Sequence, residues 1–479
     1  MRKIGKSAWS LFMDSAPDWY KASLLAVIIL NPVLLITWGP FWTGWVVLAE
    51  FLLILCFSLQ CYPLFPGGVL ALEVLFLKMT PVASVMKEIH GNIDVIMLLI
   101  FMVPGIYFMK PLLTWIFMRL FAMTRNKVVL SLVFLFTGAF LSAWLDALTV
   151  VAVMITVCVA AKDLHKHTGS ETPDEQEEFD GFLRNLLMHG AIGTALGGIS
   201  TLIGEPQNII IGHYAGWSFQ DFYVKMAHFS IPLQLLGLLM CWGLEHFRMR
   251  IFGFGYQLPQ RIGVAFEQRA QEDLAHETHP YKIKLIIMGA VFACLMLALA
   301  FQVAPVGVIG LGLLISLPIL TGQTDEHRIG AAFAESMPFT ALLVVFFVIV
   351  AMIETQGLFH PITVWALQGS GKEQLYSFFT ASGILSSVSD NVFVGTIYVH
   401  QAYNAFTQGL VDRVQFDRLC LVINAGTNIF SILTPSGQAA FLFLLTSAIA
   451  RKIGLSYVRM FLMSLPYAIV LIAASYMMI

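Results

Sequence analysis

Leu141-Ser142-Ala143-Trp144-Leu145-Asp146-Ala147-Leu148-Thr149-Val150 and Leu385-Ser386-Ser387-Val388-Ser389-Asp390-Asn391-Val392-Phe393-Val394 read as two copies of one segment. Their aspartates stand 244 residues apart (390 − 146), each inside an apolar stretch. An ionisable side chain at membrane depth costs on the order of 3 kcal/mol or more unless it is solvated or bound, so it marks a functional site by default. Two such groups at matching positions of two half-chains predict a transporter with an ion site between structural repeats.

The surrounding chain supports a membrane setting. Of its 479 residues, 58% are hydrophobic and only 12% charged, against about 25% charged in soluble domains. Apolar runs long enough to cross a bilayer recur throughout. The 27 Lys and Arg are scattered rather than clustered, which excludes a nucleic-acid footprint. Six cysteines (Cys56, Cys61, Cys158, Cys241, Cys294, Cys420) form no C-x-x-C pair and read as small buried hydrophobes. No cleavable leader is expected, because Arg2, Lys3 and Lys6 precede an amphipathic stretch and not a short apolar one.

The expected fold is an all-α polytopic membrane protein. It has about 11 transmembrane helices plus two re-entrant hairpins in an inverted repeat. Spans are placed at about 22–38, 41–60, 63–79, 93–119, 186–212, 229–247, 282–301, 305–321, 333–357, 420–448 and 457–478. The hairpins are 128–160 and 376–400, each interrupted near its centre by small and polar residues. Such backbone is tolerated at membrane depth where it lines a cavity or is buried in protein. The domain reading is 1–92 as N-terminal scaffold helices and 93–247 as the first repeat. Residues 248–332 then supply an interfacial helix and scaffold helices, and 333–479 form the second, inverted repeat. The acidic stretch 162–185 is read as a solvated connector. With the N-terminus in the cytoplasm, 20 of the 27 Lys and Arg fall on cytoplasmic segments. Lys78, Lys87, Lys225, Lys372, Arg413 and Arg418 fall outside, and Lys110 stays within a span. That bias sets the orientation and puts the C-terminus outside.

Each hairpin is followed by a broken span. The first carries Gly197-Gly198-Ile199-Ser200-Thr201-Leu202-Ile203-Gly204-Glu205-Pro206-Gln207-Asn208 and the second Asn424-Ala425-Gly426-Thr427-Asn428-Ile429-Phe430-Ser431-Ile432-Leu433-Thr434-Pro435-Ser436-Gly437-Gln438. Pro206 and Pro435 are taken as equivalent helix breakers. Breaks release carbonyl oxygens and aim helix ends at a site. Alkali cations want oxygen ligands. The first half offers Asp146, Ser142, Thr149, Asn208 and Glu205. The second offers Asp390, Asn391, Ser389, Asn428, Thr434, Ser436 and Gln438. For the hydroxyls, back-bonding to helix carbonyls competes with ligation. For the amides the rival is capping of the hairpin or helix ends, and Glu205 could cap the helix after its break. A carboxylate in a poorly hydrated cavity favours its protonated form, and bound Na⁺ favours the charged one. That competition suffices for antiport, with Asp146 the first candidate and Asp390 the second. Glu50, Glu73, Asp94, Glu335 and Glu354 are further acids at membrane depth.

The strings SAWLDALTVVAV, GEPQNIIIG, SSVSDNVFVGTIY and TPSGQAAFLFLLTSA, with SAPDWYK and CYPLFPGG near the N-terminus, resemble the NhaB family of bacterial sodium/proton antiporters over essentially the whole chain. The resemblance implies electrogenic exchange of cytoplasmic Na⁺, and also Li⁺, for external H⁺ in a bacterial inner membrane. It implies paired hairpins, a scaffold, an elevator-like transport domain and a homodimer, with no cofactor and no catalysis. In that family the aspartate matching Asp146 is the one expected to handle sodium. The rivals are a sodium-coupled carboxylate symporter of the same superfamily, an intramembrane hydrolase (a metalloprotease, which would need His-Glu-x-x-His, or an aspartyl protease) and a passive channel. The symporters typically carry Ser-Asn-Thr at the hairpin tips, whereas aspartates here repel an anionic substrate.

Overall fold

The computed structural model describes residues 8–13, 16–166, 172–259, 261, 264, 278–359, 361, 369 and 371–479. It is helical throughout, with no strand among the described residues. Helices of eight residues or more run as follows: α1 Asp18–Cys56, α2 Leu64–Phe76, α3 Val82–Gly91, α4 Ile93–Tyr107, α5 Lys110–Met123, α6 Lys127–Ser142, α7 Ala147–Lys166, α8 Pro173–Gly198 and α9 Pro206–Ala215. They continue with α10 Phe219–His246, α11 His279–Ala300, α12 Val306–Thr321, α13 Glu326–Gln356, α14 Lys372–Ser386, α15 Asn391–Thr407, α16 Arg413–Ser431, α17 Ala439–Thr446 and α18 Tyr457–Met478. The all-α polytopic reading therefore stands. Five of these helices are long and apolar enough to cross a membrane by themselves, or six if one bent pair counts as one. The remaining expected spans are broken or shorter helices, so length and composition do not reproduce the count of about 11.

Contacts divide the chain into two units. The smaller comprises Met1–Ile93 and Pro338–Gln368, and the larger Asp94–Met337 and Gly369–Ile479. The second boundary falls inside α13 at Pro338. In the smaller unit α1 breaks at Gly39 (φ 79°, ψ 172°), just before Pro40. That left-handed angle suits glycine alone, and it separates the two arms expected at 22–38 and 41–60. Asn31 on the first arm donates to Glu50 Oε2 on the second (2.9 Å) and to Glu73 Oε2 on α2 (3.1 Å). Two of the membrane-depth acids thus share one amide.

In the larger unit two helix pairs form the core, α6 with α8 and α14 with α16. Glycines let their backbones touch. A Cβ on Gly193 or Gly197 would strike the Leu135 or Ala139 carbonyl, and one on Gly426 would lie 2.7 Å from the Phe379 carbonyl. Close approach through small residues gives apolar helices their packing in a bilayer.

Residues 162–185 differ from their reading as a solvated connector. They are largely the end of α7 and the start of α8, apart from a short segment that includes 167–171, outside the described residues. Lys162 pairs with Asp180 in the interior, and buried Arg184 bonds Glu177 and the Ile453 carbonyl. Charge suggested solvent here, yet each buried charge has a partner, which is the condition for burial. The interfacial helix expected after residue 248 falls partly on residues outside those described; the described part holds a short turn at Arg250–Phe252 and helical positions 261 and 264.

Candidate ion site

The two quoted segments each interrupt a helix pair. α6 ends at Ser142 and α7 starts at Ala147; α14 ends at Ser386 and α15 starts at Asn391. The first residues of the two breaks have nearly the same angles, Ala143 at φ −67°, ψ −19° and Ser387 at φ −66°, ψ −19°. Each aspartate then caps the next helix. Asp146 Oδ2 accepts from Thr149 N (3.0 Å) and Thr149 Oγ1 (3.3 Å). Asp390 Oδ1 accepts from Val392 N (2.8 Å) and Phe393 N (3.4 Å). Capping uses one oxygen of each carboxylate in those bonds and anchors it at a positive helix end.

The broken spans repeat with a different offset. Thr201 Oγ1 donates to the Ala143 carbonyl and accepts from Gly204 N; Thr434 Oγ1 donates to the Ser387 carbonyl and accepts from Gly437 N. Ala143 and Ser387 are 244 apart, but Thr201 and Thr434 are 233 apart, as are Gly204 and Gly437. The threonine therefore stitches each break to its neighbour. In this register Glu205 matches Gln438, both in extended backbone at the start of the next helix. Pro206 matches Ala439, so the equivalence of Pro206 with Pro435 is wrong. Proline is tolerated at the first helical position and in loops alike, so its presence alone did not align the breaks.

Glu205 occupies the cap position of α9 without capping it. It lies within electrostatic reach of both Asp146 and Asp390. Its Oε1 is buried with no hydrogen-bond partner, as are Ser142 Oγ, Gln207 Oε1 and Asn208 Oδ1. Buried acceptors are nearly always satisfied, so four oxygens without donors mark places for a proton, a cation or water. Asn208 Nδ2 closes the break by donating to the Gly198 (2.7 Å) and Thr201 (2.6 Å) carbonyls. Gln207 Nε2 reaches across to Asn428 Oδ1 (3.4 Å), and Asn424 Nδ2 reaches back to the Ile199 carbonyl (3.4 Å). The middle of α16 thus meets the break between α8 and α9.

The other expected donors divide. Asn391 and Ser386 are within 2.6 Å of each other, and Ser386 Oγ donates to the Thr427 carbonyl (2.8 Å). Asn391, with its amide oriented to satisfy both ends, donates to the Thr427 and Gly437 carbonyls. Ser389 Oγ back-bonds to the Leu385 carbonyl (2.8 Å), and Gln438 Nε2 donates to Ser431 Oγ (3.0 Å). Ser436 is near the Tyr457 hydroxyl (3.4 Å) at an exposed place, and Thr434 is occupied as the stitch. Among the described residues no three His, Cys, Asp or Glu side chains are grouped to hold one metal ion. A cation here needs a mixed set of carboxylate, amide, hydroxyl and carbonyl oxygens. Glu335, paired with Lys110, is in electrostatic contact with Asp146, and Asp94 lines a separate cavity of about 610 Å³.

Gln207, Asn424, Thr201 and Gly198 were not among the expected site residues. Thr201 had a signal in the G-T-x₄-I-x-T-x-x-G-[EQ] pattern shared by 193–205 and 426–438, which the proline match obscured, whereas Gln207 and Asn424 lie outside that pattern.

The family profile of the bacterial Na⁺/H⁺ antiporter B (NhaB) matches residues 1–479. This chain belongs to the NhaB family. Among its relatives is the Na⁺/H⁺ antiporter NhaB of Salmonella newport, 48% identical over 483 residues, covering 98% of this chain and 93% of that protein. The NhaB antiporters of Salmonella paratyphi B and Salmonella agona show the same identity and coverage. The resemblance carried by the motifs thus extends to the whole chain, and the helical, apolar architecture is that of a multi-pass membrane protein.

Proposed function

We infer that this NhaB-family sodium/proton antiporter moves Na⁺ and H⁺ in opposite directions through competition for buried carboxylates centred on Asp146. The carrying observation is Glu205, within reach of both Asp146 and Asp390 and with an orphaned oxygen beside a helix break. An acid that feels two others in a dry site, as Glu205 does, does not stay charged beside them unless a cation joins it. Adding Na⁺ expels protons, and adding protons expels Na⁺. Asp146 holds the exchanged ion. Glu205 tunes that exchange, and Asp390 anchors the mirrored half. The oxygens of Ser142, Asn208 and Gln207 complete the first half-site, and Asn391 and Asn428 serve the second.

The remaining parts of the reading rest on the charge bias, the repeat and the family. The N-terminus is cytoplasmic and the C-terminus external, in a bacterial inner membrane. The repeats are inverted, and the larger unit carries the ion in an elevator-like alternating-access cycle within a homodimer. Cytoplasmic Na⁺, or Li⁺, leaves in exchange for external protons, and no cofactor takes part. The test is dissipation of a pH gradient by Na⁺, Li⁺ and K⁺ in everted vesicles, with Asp146→Asn alongside. Wild-type rates in an inserted D146N protein would refute the assignment. Sodium-driven dicarboxylate uptake would favour the symporter instead.

A further inference from the structure

A second buried polar cluster lies in the larger unit, apart from the residues assigned to ion exchange. His189, on α8, is fully buried. Its Nδ1 is 2.8 Å from the Tyr467 hydroxyl on α18, and its Nε2 is 3.1 Å from Glu245 Oε1 on α10. The other oxygen of Glu245 is 3.4 Å from Lys127 Nζ, on the first residue of α6. Phe254 stacks on the imidazole at 4.7 Å. Cys241, on α10, faces both His189 and Tyr467, while Arg248 and Glu178 act electrostatically on Lys127. These are the charged and titratable groups around the imidazole from the elements packed on it.

The heavy atoms serve two protonation states. With a neutral ring, Nε2 donates to Glu245 and the Tyr467 hydroxyl donates to Nδ1. With a protonated ring, both nitrogens donate and the hydroxyl turns its hydrogen elsewhere. What changes is the charge on Glu245 available to Lys127. A neutral His189 leaves the carboxylate to Lys127 and ties the outer end of α6 to α10. A protonated His189 shares that single negative charge between two cations and loosens the tie. The helix so held is the hairpin arm that ends at the break carrying Asp146.

We propose that His189, Glu245 and Lys127 are positioning residues: their protonation state sets the turnover of the antiporter by fastening or releasing hairpin arm α6. This rests on the antiport reading but is separable from it. Competition at Asp146 moves the Na⁺ concentration for half-saturation, whereas the α6 tie moves the rate at saturating Na⁺.

The experiment measures the maximal Na⁺-driven rate in vesicles from about pH 7 to about pH 10. The wild-type maximal rate should rise about tenfold across that range as a single histidine-like group loses its proton. His189→Gln should be flat and near the wild-type alkaline rate, because the tie is permanent. Glu245→Gln and Lys127→Gln should be flat and near the acid rate, because it is absent. Na⁺ half-saturation at alkaline pH should stay within about twofold of wild type in all three, since they leave Asp146 alone. Opposite effects of H189Q and E245Q support the proposal, because a merely structural cluster would be damaged alike by both. Wild-type pH profiles in the variants, or a pH-independent wild-type rate, overturn it. Should H189Q fail to insert, K127Q at the start of α6 decides: a flat, low maximal rate supports the tie and a wild-type profile refutes it. If D146N retained wild-type exchange, the antiport assignment would fail whatever these profiles showed.

Discussion

Gly198→Ala perturbs the ion site through a single methyl group. A Cβ at Gly198 would lie 2.8 Å from Glu205 Cγ, 3.0 Å from its Oε1 and 3.3 Å from its Cδ. Ordinary contact begins near 3.4 Å, so the glutamate side chain must retreat by about 0.6 Å. The neighbour is a flexible side chain and not backbone, so the helices need not separate and the stability cost stays near 1 kcal/mol. The site suffers more. A misplacement of about 1 Å in a reacting constellation can cost about 100-fold, so roughly half that shift should cost on the order of tenfold. The assay pairs Na⁺-dependent dissipation of a pH gradient with thermal unfolding in detergent. The expected result is a melting temperature close to wild type with Na⁺ half-saturation raised about tenfold. Gly197→Ala is the control. Its Cβ would enter the Ala139 backbone, which cannot step aside, so its loss should appear as instability of about 3 kcal/mol. A G198A protein with wild-type Na⁺ response would show that Glu205 does not participate. One that melts as early as G197A would show that Gly198 matters for packing alone.

Asp146→Asn should abolish Na⁺-dependent proton movement while the protein still inserts, as read in everted vesicles and by membrane fractionation. Asp390→Asn should slow turnover at least about tenfold, because the α15 cap survives in weakened form but the carboxylate charge is lost; unchanged turnover would confine Asp390 to capping. Thr434→Val removes the stitch between the Ser387 carbonyl and Gly437 N. It should destabilise the protein by about 1–3 kcal/mol in detergent melting. Thr201→Val should do the same through Ala143 and Gly204, and near-neutral behaviour of both would remove the threonines from the account.

Composition was enough to decide the membrane setting, since 12% charged residues cannot cover a soluble protein of this size. The aspartate copies were legible because their matching charges interrupt apolar runs, which resemble one another too closely to align otherwise. Both fall at helix breaks, and both cap the helix that follows. The aspartate spacing of 244 does not carry over to the second break, which pairs at 233, and matching Pro206 with Pro435 at 229 hid the pattern that 193–205 and 426–438 share. Hydrogen bonds across 58 and 47 residues, from Thr201 to Ala143 and from Thr434 to Ser387, decide between the two alignments in favour of 233. The same holds for charge. Sequence alone reads Asp180 and Arg184 as solvated, and only tertiary neighbours such as Lys162 and the Ile453 carbonyl make their burial affordable. Which residue types occur, and with what periodicity, is local and can be read along the chain. Which carboxylate faces which depends on helices far apart in sequence, and is settled only when they pack.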